Sequence, residues 1–228
     1  MFVSITPAEA LGQSADALYG DRGTPGSAER AAEIWTAELA EHPQSFEAAS
    51  KLARACYWLG GHAAQNDRRQ FLERGIEAGR KAVLLEPSRP DGHFWIAANM
   101  GALAESFGLS QGLKYRGTIK TELETVLRLD QTFMAGSADR ALGRWYYRVP
   151  WLFGGSNKRA EEHLRTSLKY DERSTVTHFF LAEVLVDEGR KAEARLELQK
   201  VLDSPFNSEW APEDQDYKQR ARALLAKL

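Results

Sequence analysis

Three arginines recur at four-residue intervals, a residue type and spacing that could support binding chemistry. Arg140, Arg144 and Arg148 would lie along one side of a helix. A guanidinium group donates paired hydrogen bonds to a carboxylate, so this row could bind a carboxylate or an acidic partner. The simpler alternative is a solvated helix face whose arginines pair with nearby acids.

A stripe of mixed chemistry on the predicted helix 93–107 is the second candidate site. It consists of Trp95, Asn99, Ala102 and Ser106. Such a stripe suits the wall of a groove, because the indole supplies contact area, the amide fixes orientation and the small residues leave room. The alternative is that these side chains pack against the neighbouring helices.

The segment 149–155 is unusually apolar for a loop and ends in Gly154-Gly155. Trp151 and Phe153 are predicted either to cover an apolar pocket or to offer a hydrophobic contact to a partner. An inward-folded loop that fills space between helices is the alternative. The remaining ligand-binding candidates are Tyr115, in the corresponding earlier segment, and Trp145 and Tyr146, on the apolar face of helix 138–149.

Signals for catalysis, metals and cofactors are missing from the sequence. The five histidines show no ligand spacing and the single cysteine, Cys56, has no neighbouring cysteine. The glycine pairs lack the spacing and the basic residue of a phosphate-binding loop. We therefore expect no catalytic residues, no metal and no cofactor, and a protein that is not an enzyme.

Charge and hydropathy narrow the range of partners. The net charge is -2, which provides no field to attract nucleic acid. The longest nearly apolar stretch, 95–104, is about half the length that a bilayer requires, so no transmembrane segment is expected. Residues 1–10 lack the pattern of a signal peptide.

Helix-ending tails divide the chain into similar units. The tails are Glu41-His42-Pro43, Leu85-Glu86-Pro87, Leu129-Asp130-Gln131, Tyr170-Asp171-Glu172 and Asp203-Ser204-Pro205. A proline or polar residue stops a helix at such points. We predict one all-α domain, 1–228, of helix pairs at about 7–43, 45–87, 91–131, 137–172 and 174–205, followed by a capping helix at 212–228.

The last pair is similar to the tetratricopeptide repeat. Its small and apolar positions are Leu181, Ala182, Leu185, Gly189, Ala194, Leu198, Val201 and Pro205, and its tail ends 33 residues after the previous one. The fold class predicted is a tetratricopeptide-like solenoid of helical hairpins. Earlier pairs carry extra residues between their two helices, which are expected as long loops that form one rim at 60–67, 108–117 and 149–157.

Two longer segments resemble known families. Residues 138–155, ADRALGRWYYRVPWLFGG, followed by KRAEEHL at 158–164, resemble the T component of tripartite ATP-independent periplasmic transporters. Residues 93–97, together with 119–120 and 129–130, resemble the regulators of microtubule dynamics. The first resemblance implies an exported protein that docks a periplasmic solute-binding protein and binds an apolar or organic-acid small molecule.

Two functions follow as hypotheses. The first is a periplasmic carrier or accessory protein of a transport system, which binds a hydrophobic, lipid-like molecule in an internal groove. Its export signal would be missing from the sequence, and a cytoplasmic location is the alternative. The second is a scaffold whose concave surface binds a peptide or a partner's helix. A homo-oligomer is compatible with either.

Overall fold

The computed structural model describes residues 14–228, which form eleven α-helices. In chain order these are α1 (Ala15–Gly20), α2 (Ser27–Glu41), α3 (Phe46–His62), α4 (Gln65–Leu85), α5 (Pro90–Phe107), α6 (Leu109–Leu129), α7 (Ser137–Arg148), α8 (Asn157–Ser167), α9 (Thr175–Asp187), α10 (Lys191–Asp203) and α11 (Ala211–Leu225). The predicted all-α solenoid of helical hairpins is confirmed. The start of the first predicted helix pair, 7–13, lies outside the described residues.

Local sequence explains where several helices begin. Ser45, Ser156 and Ser174 precede α3, α8 and α9, and each serine hydroxyl accepts a hydrogen bond from an amide in the first turn. These bonds satisfy donors that have no partner within the helix. The capping serines of α3 and α9 follow the polar tails closely, so each of those tails ends one hairpin and starts the next.

The first helices of the pairs lie on the inside of the solenoid. Each pair packs against the next through its second helix, and α3 also contacts α5, α5 contacts α7 and α7 contacts α9. Within the described chain, the second helices of successive pairs make few direct contacts with one another. Closer approach of the first helices curves the array around them, so they line its concave side.

Pairs of histidine and carboxylate join the two helices of several hairpins. His93 Nδ1 on α5 lies 2.5 Å from Glu122 Oε2 on α6, and His178 Nδ1 on α9 lies 2.5 Å from Glu197 Oε2 on α10. In both cases Nε2 faces a backbone carbonyl six residues earlier. These contacts hold the first turn of an inner helix against its partner.

Extra residues in the early hairpins lengthen helices, and the prediction of long loops at 60–67 and 108–117 is wrong. α3 and α4 are separated by two residues, and α5 and α6 by Gly108 alone. The positive φ of Gly108, 84°, allows the chain to turn within that single residue. The glycines of Gly60-Gly61 are accommodated inside α3, so they do not end the helix.

The two ends of the described chain meet through Arg22, which follows α1. Its Nε donates to Glu213 Oε1 at 2.9 Å and its Nη2 to Glu213 Oε2 at 2.5 Å, both on α11. Nη2 also donates to the carbonyl of Glu209 at 2.5 Å, and the guanidinium stacks 5.3 Å from the ring of Trp58. His62 and Asp216 add a second contact at 3.1 Å. We call this group the closure contact.

Candidate functional site

The inner surface of the solenoid carries a group of charged and aromatic side chains, which we call the concave face. It consists of Tyr57 on α3, Glu105 on α5, Arg140, Arg144 and Arg148 on α7, Phe180 and Glu183 on α9, and Tyr217 and Arg220 on α11. Ion pairs join Glu105, Arg144, Arg148 and Glu183, and ring contacts continue from Arg144 through Phe180 and Tyr217 to Arg220. Arg140 lies one turn before Arg144 on the same helix, and Tyr57 contacts Trp95 of α5.

Arg144 is the centre of this surface. Its Nε lies 2.7 Å from Glu105 Oε1, and its Nη1 lies 2.5 Å from Glu183 Oε2, so one side chain joins α5, α7 and α9. Burial alone would lower the pKa of Arg144, but the charge and hydrogen bonds of Glu105, followed by the charge of Glu183, raise it above its usual range. Arg148 lies 3.7 Å from the same Glu105 oxygen.

Arg140 differs from the other two arginines because it makes no hydrogen bond or ion pair with residues 14–228. It is half-buried, and removal from water lowers its pKa. The ionisable groups that act on it most are the hydroxyls of Tyr217 and Tyr57, and then Asp171. The three predicted arginines therefore share one surface, but only Arg140 is left without an acidic partner there.

Tyr57 and Tyr217 are functional candidates that sequence reasoning missed. Tyr57 lies 5.8 Å from Trp95, and Tyr217 lies 5.7 Å from Phe180, measured between ring centroids. Burial by the surrounding chain raises the pKa of both hydroxyls, although 40 % of the surface of Tyr57 remains exposed to water. They therefore stay neutral and able to donate. Their positions depend on how α3 and α11 face α7, which no local pattern reveals.

The predicted groove wall lies mainly inside the helix contacts. Trp95 is 5 % exposed, and Asn99 is fully buried, with Nδ2 donating to the carbonyls of Ala53 at 3.0 Å and Trp95 at 2.8 Å. Oδ1 of Asn99 has no partner among the described residues. Ala102 and Ser106 are half-buried.

Trp145 and Tyr146 are buried as well. The indole Nε1 of Trp145 donates to the carbonyl of Arg116 on α6 at 2.9 Å, and the ring of Tyr146 stacks on His163 of α8. Both side chains thus join neighbouring helices. Tyr115, expected in a loop, lies on α6 and is half-buried, because 109–129 forms one continuous helix.

The apolar segment between α7 and α8 is exposed. Trp151 is 82 % exposed, Leu152 68 % and Phe153 40 %, in a short 3₁₀ helix. The backbone of Gly155 packs against the carbonyl group of Val149, so closely that a β-carbon at Gly155 would overlap the carbonyl oxygen. This contact holds the turn in place. Trp151 and Phe153 therefore form an outward-facing apolar tip on an ordered turn.

Two clefts of about 350 and 390 Å³ open on other parts of the surface, and both are lined mostly by charged side chains. Tyr115 borders the larger one, beside Glu73 and Arg80. Neither cleft is lined by Trp95, Asn99, Trp145 or Trp151. Within residues 14–228, no helix is both long and apolar enough to cross a bilayer.

A curved array of helix pairs with a polar and aromatic inner surface defines a tetratricopeptide-like helical repeat protein. Residues 11–152, more than half of the chain, match the family described as regulator of microtubule dynamics protein 1-3, and the chain belongs to that family. This agrees with one of the two resemblances noted in the sequence. The resemblance to the transporter T component has no counterpart in the comparisons.

Two solved structures show the same fold. The thermophilic TPR protein TTC0263 of Thermus thermophilus is 23 % identical, with a TM-score of 0.69 over 92 % of this chain and 96 % of that one. The crystal structure of MamA is 15 % identical, with a TM-score of 0.53 over 96 % and 99 % of the two chains. No curated protein matches the sequence.

Proposed function

We propose that the chain is an interaction scaffold that binds an extended peptide or a helix of a partner protein along its concave face. The observation that supports this function is the exposure of hydrogen-bonding groups on the inner helices that no other residue of 14–228 uses, above all on Arg140 and Tyr57. An open surface of mixed polarity suits a peptide, which brings its own donors, acceptors and apolar side chains.

No catalytic step is part of this proposal. Cys56 is buried in the core, and burial raises the pKa of its thiol to about 11, which leaves it a poor nucleophile. Arg144 and Glu105 serve each other as ion-pair partners. The concave face thus offers groups for recognition.

The periplasmic carrier hypothesis, with its lipid-like ligand and solute-binding-protein partner, has less support. Trp95, Asn99, Trp145 and Tyr146 were its main lining residues, and their side chains are occupied in helix contacts. The exposed tip at Trp151 favours an apolar contact, but it faces outward from an ordered turn. We therefore rank the scaffold first.

Site-specific photo-crosslinking tests the scaffold. A benzophenone amino acid is placed at Tyr57 on the concave face and, as a matched control, at Leu84, which is 77 % exposed on the second helix α4. We expect adducts from the Tyr57 position that the Leu84 position does not give, and mass spectrometry should map them to one segment of a partner. A synthetic peptide of that segment should then bind the purified protein saturably.

Identical adducts from both positions, or none from either, would contradict the scaffold. Adducts from Tyr57 that consist of lipid would instead support the carrier. Extraction of the purified protein and mass spectrometry of the extract tests for that ligand directly.

A further inference from the structure

The apolar tip between α7 and α8 carries three consecutive apolar side chains at 151–153, all of them exposed to water. Trp151 is the most exposed large apolar side chain among residues 14–228. Apolar side chains that are exposed as a group mark a contact with another molecule or with a membrane. The groups around the tip indicate which of these contacts it makes.

The backbone of the tip satisfies several of its own polar groups. The amide of Phe153 donates to the carbonyl of Pro150 at 2.8 Å, and the amide of Gly155 donates to the same carbonyl at 3.2 Å. The amide of Gly154 donates to the carbonyl of Trp151 at 3.1 Å. A turn that is closed by its own hydrogen bonds loses little when its side chains leave water for an apolar medium.

Three basic side chains lie around the tip, and we call them the basic border. The guanidinium of Arg116 on α6 lies 5.6 Å from the ring centroid of Phe153. Arg159, in the first turn of α8, donates to the hydroxyl of Tyr146 at 3.3 Å, and Lys158 precedes it and is exposed. None of the three basic side chains forms an ion pair within residues 14–228.

Acidic residues are missing from the two segments that carry the basic border. Segments 106–121 and 140–160 contain no aspartate or glutamate, although the whole chain has a net charge of -2. Each of the four acids that flank these segments contacts a basic or histidine side chain: Glu105 contacts Arg144, Glu122 contacts His93, Asp139 contacts His163, and Glu161 contacts Arg190. The surface at the tip is therefore locally positive, and it complements an anionic partner.

A membrane fits this surface better than a protein does. A standard protein interface takes roughly 800 Å² from each partner, with an apolar centre. Three side chains on one turn supply only a part of that area, and basic groups border them. A membrane requires only that a few apolar side chains enter its interfacial layer, where tryptophan is enriched, while basic groups reach the lipid headgroups.

We propose that the apolar tip and the basic border together bind the surface of a membrane that contains anionic phospholipids. Residues 151–153 enter the interfacial layer, and Arg116, Lys158 and Arg159 contact the anionic headgroups. This docking goes beyond the scaffold function and does not depend on it, because none of these residues belongs to the concave face.

Vesicle flotation tests the docking on the full chain. Vesicles of equal parts phosphatidylcholine and phosphatidylserine are compared with vesicles of phosphatidylcholine alone. We expect the protein to float with the anionic vesicles and to bind the neutral ones about tenfold or more less tightly. Binding to the anionic vesicles should weaken about tenfold or more for Trp151→Ser, which loses apolar area, and about fivefold for Lys158→Gln or Arg159→Gln.

Two matched controls lie on α4. Leu84→Ser removes an apolar side chain that is 77 % exposed, and Arg80→Gln removes an exposed basic one. We expect both variants to bind the anionic vesicles as the wild type does. A loss of binding in the controls equal to that of Trp151→Ser and Lys158→Gln would overturn the proposal.

Quenching by lipids that are brominated on their acyl chains reports insertion in a variant that keeps an apolar tip. The wild-type tryptophan fluorescence should be quenched when anionic vesicles of such lipids are added, because Trp151 reaches the interfacial layer. Trp151→Phe should still float with the vesicles but lose most of this quenching. Equal quenching of the wild type and Trp151→Phe would overturn the proposal.

The remaining outcomes also decide the assignment. Equal affinity for the two kinds of vesicle, no binding to either, or binding that Trp151→Ser leaves unchanged would each overturn it. A benzophenone amino acid at Leu152 tests the protein alternative in the cell. Adducts that consist of lipid would support the membrane, whereas adducts to one acidic protein would assign the tip to that protein and overturn the membrane proposal.

Discussion

Replacing Arg22 by methionine should lower the free energy of unfolding by about 3 kcal/mol. The Arg22 side chain is 2 % exposed, and the change removes its two bonds to Glu213 and its bond to the carbonyl of Glu209. Breaking a buried ion pair on one side costs ~3–5 kcal/mol, and the lower value applies because Glu213 keeps 26 % of its side-chain surface in contact with water. For a chain of this size, the melting temperature should fall by about 6–12 °C.

Urea unfolding followed by circular dichroism measures this loss. Arg80→Met is the control, since Arg80 and Glu77 are an exposed ion pair and should contribute less than about 1 kcal/mol. A double-mutant cycle of Arg22→Met with Glu213→Gln should give a coupling energy of about 1–2 kcal/mol. The reasoning fails if Arg22→Met and Arg80→Met cost the same, or if the two sites are additive.

Three further changes test other parts of the structure. Burial alone would raise the pKa of Glu197, but hydrogen bonds from His178 and Lys200 lower this pKa below its value in the unfolded chain. The stability that the ionised Glu197 contributes is therefore present above about pH 4.3 and is lost as the pH falls through the folded-state pKa. Glu197→Gln should therefore flatten the acid side of a stability profile measured by urea midpoints between pH 3 and 7, and an unchanged slope would contradict this. Trp151→Phe should remove most of the iodide-quenchable tryptophan fluorescence, because Trp151 is 82 % exposed; quenching that persists would mean that the tip is covered. Gly155→Ala should lower the free energy of unfolding by about 2 kcal/mol or more in thermal melts, whereas Gly61→Ala, which meets no atom within 4 Å inside α3, should raise it by up to about 1 kcal/mol. Equal effects of the two alanines would refute the close approach to the Val149 carbonyl.

The fold was predictable because its signals are local. Polar tails and capping serines mark the hairpin ends, and apolar residues at helical spacing mark the faces that pack. The rim was mispredicted because the extra residues of the early hairpins were assigned to loops, whereas most of them lengthen α3, α4, α5 and α6. Gly60 and Gly61 lie within α3, since tertiary packing outweighs their low helix propensity.

The candidate site was predictable only in part, because its residues meet across distant repeats. The spacing of Arg140, Arg144 and Arg148 correctly indicates one helix face. The acids beside Arg144, Glu105 and Glu183, lie 39 residues before and after it, so their proximity depends on how the hairpins stack. The stripe at Trp95 and Asn99 could not be assigned from periodicity, because a groove wall and a helix contact have the same spacing.

The closure contact changes the order in which the helices of the array should unfold. A linear repeat protein can release a terminal unit by breaking one interface, so its ends fray first. Here the release of α1 or of α11 also breaks the bonds between Arg22 and Glu213, which joins the two terminal units into one cooperative block. Amide hydrogen exchange should therefore slow together in both terminal helices, and cutting the chain between α10 and α11 should loosen residues near position 22, at the opposite end of the sequence.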